Sequence, residues 1–299
     1  MSENIVHTAI VQDSVVLLRR SPQICRPFQQ AVSDHPDVAE LGGITRHGDR
    51  HNPRLLSQFR EAWPPAADDE QTWKRLAFVL GWMSHRAADR QMKPIWRKHL
   101  PPEERTQSPT DCSLYQDAFI LREVFHQSTR RPYDPLVPTA AMADSELAAV
   151  GDIAAVERLL RAAWQRMLIA LHTFIPDDDH CEDWLDNVLA RHQRLTVELH
   201  RLASVFHRPD PERERRYIEE TGFYDRNDPL IQLLHAQDPW SVAADDLARA
   251  LAAENGCRYA QALMRAHRYH TAANDYVQGE IDRSELETRL DIGRPEVDE

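Results

Sequence analysis

Apolar residues along the chain recur at three- and four-residue intervals, the spacing of one helix face, rather than at every second position. This periodicity predicts helices over about 4–19, 26–36, 54–62, 70–92, 112–128, 145–174, 179–206, 211–220, 227–236, 241–254, 256–278 and 282–290. Long β-branched runs are missing, and Ala, Leu, Arg, Glu and Gln dominate. The expectation is an all-α, multi-helix bundle. Prolines punctuate it, in HRPDPERE, RRPYDPLVP and EAWPPAADDE, where a residue without an N–H ends a helix. The loop PYDPLVPTAAMAD is the best internal boundary. It would separate a helical core over 1–140 from C-terminal helices over 141–299 that pack on it, unless 1–299 forms one domain.

Charge and composition narrow the partners. Asp and Glu (48) outnumber Lys and Arg (36), for a formal net charge of −12, so nucleic acid and anionic membrane surfaces are not expected partners. No apolar run approaches the ~18 residues of a transmembrane span. The start MSENIVHTAIVQDSVVLLRR does not read as a signal peptide, so a cytoplasmic protein is expected. The four cysteines, at 25, 112, 181 and 257, never form a C-x-x-C pair, which argues against thiolate zinc and a disulfide framework.

Candidate chemistry centres on VLGWMSHRAADRQMKPIW, residues 79–96. His85 and Asp89 stand four apart, on one helix face with Phe78, Gly81, Trp82, Ala88 and Met92. A carboxylate in an apolar stripe needs a partner. Gly81, one turn before His85, costs about 1 kcal/mol of helix stability relative to Ala, so something must approach closely there. The pair is either a hydrogen bond that fixes packing or two ligands of a metal.

Further donors come from other segments. LGGITRHGDRHNPR is punctuated by glycine and sets His47, Asp49 and His51 at alternate positions, which project to one side of an extended segment. His7 borders the stripe of Ile10, Val11, Ser14 and Leu18; Asp117 stands in the row Leu114, Ala118, Leu121 and Phe125. Glu123 and His126 are expected at the surface, as is the helix of HRYHTAANDY with His267, His270 and Asp275; His172 and His200 are expected at the core edge. Imidazole plus carboxylate without cysteine suits Zn²⁺, Fe or Mn²⁺, in an open site that activates water against an ester or phosphoester.

With these residues in view, VHTAIVQDSVVLL, a Gly-rich segment carrying an Asp, and LGWMSHRAADRQMKP together resemble the zinc-dependent phospholipase C family and its related single-strand nucleases, over roughly residues 4–120. The resemblance implies an all-α fold, a zinc cluster and phosphodiester hydrolysis. It matches His7 to the family's first-helix ligand, Asp49 to a ligand and candidate general base, and His85 and Asp89 to the central H-x-x-x-D pair. Departures are also plain. Trp96 stands where the family has a histidine after the proline, His99 is displaced by three, and Ser113 and Asp117 stand where it has H-x-x-x-E. With no cleavable leader expected, an amino-terminal tryptophan ligand is not expected either. One or two metals on His7, Asp49, His85 and Asp89, with His51 or Asp117 as extra ligands, is therefore the expected centre. The expected activity is a metal-dependent hydrolase of a small or lipid-like phosphoester. Two alternatives stand: an HD-type phosphohydrolase, although the adjacent His-Asp dipeptide is absent, and a non-catalytic helical scaffold with a structural or vestigial metal.

Overall fold

A computed structural model describes residues 4–45, 51–99, 110–125, 208–236, 241–253, 256–293 and a few positions between them. Among these residues the chain is helical with no strand, as expected. The predicted helices 145–174 and 179–206 fall largely outside the described residues. Those described are α1 (Asn4–Arg20), α2 (Arg26–Asp34), α3 (Pro36–Ile44), α4 (Asn52–Glu61), α5 (Glu70–His99), α6 (Asp111–Ile120) running into a π-helical turn (Leu121–Phe125), α7 (Pro211–Glu214) with a second π-helical turn (Arg215–Glu219), α8 (Pro229–Leu234), α9 (Ala244–Leu251), α10 (Arg258–Val277) and α11 (Arg283–Arg289). No described helix is long and apolar enough to cross a membrane. The described cysteines, Cys25, Cys112 and Cys257, form no disulfide with one another.

Local chemistry sets the helix starts. Proline opens α2, α3, α4, α7 and α8, at first-turn positions whose N–H would have no helical acceptor. Side-chain oxygens cap others: Thr110 accepts from Ser113 N, Asp228 from Leu230 N and Asp282 from Glu285 N. The helix expected over about 70–92 continues past Pro94, which lies inside it, to His99. Burial of Met92 and Ile95 on either side holds the helix together across the break.

Residues 5–11 of α1 and 76–88 of α5 are buried on every face, the mark of central helices. One core gathers Val11 and Leu18 of α1, Phe28, Leu56, Trp82 and Met83 with Ala266, Tyr269, Ala273 and Val277 of α10; the other gathers Val6, Ile10, Ala88 and Met92 with Tyr217, Phe223, Tyr259 and Leu263. Both draw on residues before 126 and after 205, so residues 208–293 share cores with the N-terminal helices across the expected boundary.

α10 corrects one expectation. Its His267 and His270 are buried, at 9% and 2% exposure, where a surface helix was expected. The polar residues of HRYHTAANDY masked a run of alanines (Ala260, Ala262, Ala266, Ala272, Ala273), all buried, that lets α10 lie close against its neighbours. His270 Nε2–H donates to Leu80 O of α5 at 2.9 Å. Asn274 fastens the turn before α2, accepting from Cys25 N at 2.8 Å and donating to Gln23 O at 3.1 Å. After α11, Asp291, at φ 55°, offers its carbonyl to Arg86 and Arg90 of α5, each at 2.6 Å. Asp13 of α1, fully buried, accepts from Tyr259 OH at 2.7 Å and pairs with His235 at 3.2 Å.

Burial pushes the His270 imidazole down to about 4 from 6.5; the hydrogen bond to Leu80 opposes this and nearby His267 adds to it. A histidine with a depressed folded value is protonated first in the unfolded chain. Its contribution to stability is complete above about pH 6.5 and is lost as pH falls toward 4, roughly 3 kcal/mol in all. Chemical denaturation from pH 7 to 4 should show that loss. His270→Gln, which keeps an N–H for Leu80, should flatten the profile in this window; equal slopes for both proteins would refute the assignment.

Candidate metal centre

Three helices meet where α1, α3 and α5 cross, and the crossing is unusually tight. A Cβ added at Gly81 would stand 1.9 Å from Ala39 O, one at Gly42 2.1 Å from Phe78 O, and one at Gly43 2.2 Å from Val11 Cγ2. Only glycine permits backbones this close. The close approach inferred at Gly81 is thus made by α3, not by a ligand. It also corrects the reading of LGGI as part of an extended segment: Leu41–Ile44 are the last turn of α3. The helical cost of paired glycines, about 1 kcal/mol each, is offset by burial against α1 and α5.

That crossing orients His85. Its Nδ1–H donates to Gly43 O at 2.8 Å, a carbonyl that can only accept, so the proton resides on Nδ1 and Nε2 faces the other way. His85 Nε2 stands 3.4 Å from Asp89 Oδ2, and His7 Nε2 stands 3.4 Å from Asp89 Oδ1. Both separations exceed the usual N–H···O range of about 2.7–3.2 Å. The imidazole rings of His7 and His85 stack at 4.3 Å with 25° between their planes, an arrangement that two imidazolium cations would resist. One donor atom from each of His7, His85 and Asp89 lies within 4.8 Å of the others.

Charge follows the same geometry. Burial alone would raise the Asp89 carboxyl, but the His85 and His7 imidazoles outweigh it and hold the group well below the usual carboxylate range. Lys93, the next turn of α5, places Nζ 2.7 Å from Asp89 Oδ2. Exposure rises across the cluster, from 3% for the His7 side chain and 8% for His85 to 17% for Asp89 and 33% for Lys93. The two imidazoles are thus the buried members of the cluster and Lys93 the most exposed.

Of the residues expected to ligate a metal, the structure brings His7, His85 and Asp89 together. Asp117 stays one step back: its Oδ1 accepts from Val6 N at 2.9 Å, so it pins the first turn of α1, next to His7. His51 stacks flat on Trp82, with centroids 5.8 Å apart and 7° between planes, at the start of α4. Asp49 and His47 lie outside the described residues, as does His126. Glu123, expected at the surface, is only 13% exposed and pairs with Arg122 and Arg226. Two participants went unnoticed in the sequence. Lys93 carried a signal, its i+4 spacing from Asp89; Gly43 carried none, because its contribution is a backbone carbonyl.

The donor set fits a divalent cation. One donor atom from each of the three residues lies within 4.8 Å of the others, close enough for a single ion to draw on all three, with each imidazole nitrogen 3.4 Å from a different oxygen of Asp89. Two imidazoles and one carboxylate are the ligands of open zinc sites, with a position left over. Comparison with protein-family models, curated proteins and solved structures finds no match.

Proposed function

We propose that the protein is a metal-dependent hydrolase of phosphoesters, with a divalent cation, zinc before iron or manganese, held by His7, His85 and Asp89. One observation carries this reading: the Gly43 carbonyl fixes the His85 tautomer so that Nε2 converges with His7 Nε2 and the Asp89 carboxylate. The likeness of residues 4–120 to zinc-dependent phospholipases C supports it. A cation in this position supplies Lewis acidity and an acidified bound water. The chain supplies the rest. Gly43 and the glycine crossing hold His85 in register, and Asp117 steadies His7 through the first turn of α1. Asp49 is the proposed base that orients the attacking water.

A second reading has its own observation. Lys93 already places an ammonium on Asp89, so the network is also consistent with a helical scaffold whose buried carboxylate is neutralised from within. Elemental analysis of protein purified without chelator separates them. About one equivalent of a transition metal, with zinc-dependent hydrolysis of a phosphodiester in preference to a phosphomonoester or carboxylic ester, is expected; less than about one-tenth of an equivalent would favour the scaffold.

A further inference from the structure

We infer that Asp291 is a positioning residue of the metal centre: its backbone carbonyl clasps Arg86 and Arg90 and so fixes the spacing of His85 and Asp89, the two ligands that directly precede them. The inference rests on the metal reading above. In SHRAADRQ each ligand is followed at once by an arginine, and the two arginines lie one turn apart on α5. Arg86 and Arg90 are buried, at 4% and 8% exposure, and each donates from Nη2 to the same oxygen, Asp291 O, at 2.6 Å. Two charge-assisted hydrogen bonds to one atom tie successive turns of the helix to a single outside point. The turn that follows is the one α5 itself holds least. Pro94 has no N–H to give the Arg90 carbonyl, and its ring crowds that carbonyl. Asp89 therefore adjoins a turn that lacks a helical hydrogen bond, whereas His85 is pinned by Gly43 O. Opening of that turn would shift one ligand against the other, and the clasp at Arg90 opposes it.

The backbone of Asp291 carries a second sign of this role. Among the described residues it is the one non-glycine residue with positive φ, at 55°. It closes α11 in the manner usual for glycine, with Asp291 N donating to Thr288 O at 3.0 Å and Ile292 N to Glu287 O at 2.8 Å. A side chain is unfavourable in that conformation, although aspartate bears it better than most. Here the carboxylate is engaged: Oδ2 accepts from Tyr269 OH at 2.8 Å and from Arg265 Nη1 at 3.5 Å. The carbonyl thus binds α5 and the side chain binds α10, so a single residue in a left-handed conformation joins the end of α11 to both helices. Strained backbone of this kind persists where the surroundings over-determine it.

Two variants that lose the same carboxylate test the carbonyl. Asp291→Gly tolerates the left-handed conformation and keeps the carbonyl in place; Asp291→Val, with a β-branched side chain, does not. Chelator-treated protein is titrated with Zn²⁺ by calorimetry and with Co²⁺ by visible absorption, which reports coordination geometry. Asp291→Gly should keep the wild-type Zn²⁺ affinity and Co²⁺ spectrum. Asp291→Val should bind Zn²⁺ about tenfold more weakly or worse, the loss expected when a group that orients metal ligands is removed, and should alter the spectrum. A residue that only stabilises the fold would lower the melting temperature of Asp291→Val and move neither metal readout. That result overturns the inference and leaves the metal reading standing, as does equal loss in both variants. Thermal melts of the metal-free proteins establish which are folded. If Asp291→Val does not fold, Arg90→Met, which removes one donor to the carbonyl, takes its place with the same expectation. Zinc uptake by none of the proteins, wild type included, overturns the metal reading and this inference with it.

Discussion

Gly81→Ala should destabilise the protein by about 4 kcal/mol or more and lower its melting temperature by about 10 °C. The sign is what makes the prediction informative. On an exposed helix the same change gains about 1 kcal/mol, since alanine is the better helix former. Here the new methyl would stand 1.9 Å from the Ala39 carbonyl oxygen, and that atom belongs to backbone, which has no alternative rotamer. α3 must move bodily. Because α3 also carries Gly43, the displacement would pull the carbonyl away from His85 Nδ1, so the variant should lose metal uptake along with stability. Thermal unfolding checks the first effect, and a melt within about 2 °C of wild type would mean the two helices are not in backbone contact.

His85→Gln and Asp89→Asn should each weaken Zn²⁺ binding about 1,000-fold or more, since each removes one of three protein ligands. Combined, they should lose little more than either alone, because members of one site act together. A ligand that binds only folded protein stabilises it by mass action. At a hundredfold excess over the dissociation constant the gain is about 2.7 kcal/mol, a rise of about 5–10 °C for wild type and none for either variant. A packing pair behaves otherwise. The glutamine amide nearly fills the imidazole volume and can still donate to Gly43 O, so His85→Gln should then melt within a degree or two of a wild type that itself ignores zinc. That outcome would leave the cluster as an internal ion network and remove the metal reading.

The sequence carried the helical class because nearly every apolar position obeys one period. It carried the H-x-x-x-D pair for the same reason: a four-residue spacing on a helix is a statement about space. What was hidden depended on contacts between distant segments. α3 was missed because its two glycines resemble loop punctuation, and only the crossing with α5 explains why a helix keeps them. His267 and His270 were misplaced because their polarity outweighed the alanines before and after them, whereas burial was decided by how closely small residues let α10 approach. Asp117 was legible as a carboxylate in an apolar row, but its partner, the backbone N–H of Val6, has no signature in a sequence. His51 shows the opposite case. A histidine near a metal motif is drawn by Trp82 into a ring stack.

The hydrogen bond from His270 to Leu80, like those linking Asn274 to the turn before α2, joins segments about 190 and 250 residues apart along the chain. Such contacts form late, since loop closure over this distance must precede any reward from packing. During synthesis α5 emerges before α10, and its turn from Leu80 to Ser84, which meets His270, stays without that cover until more than 150 further residues have been made. The chain therefore cannot mature from its amino end forward. Its central helix must wait for cover, and chaperone demand should fall on that interval rather than on the finished protein.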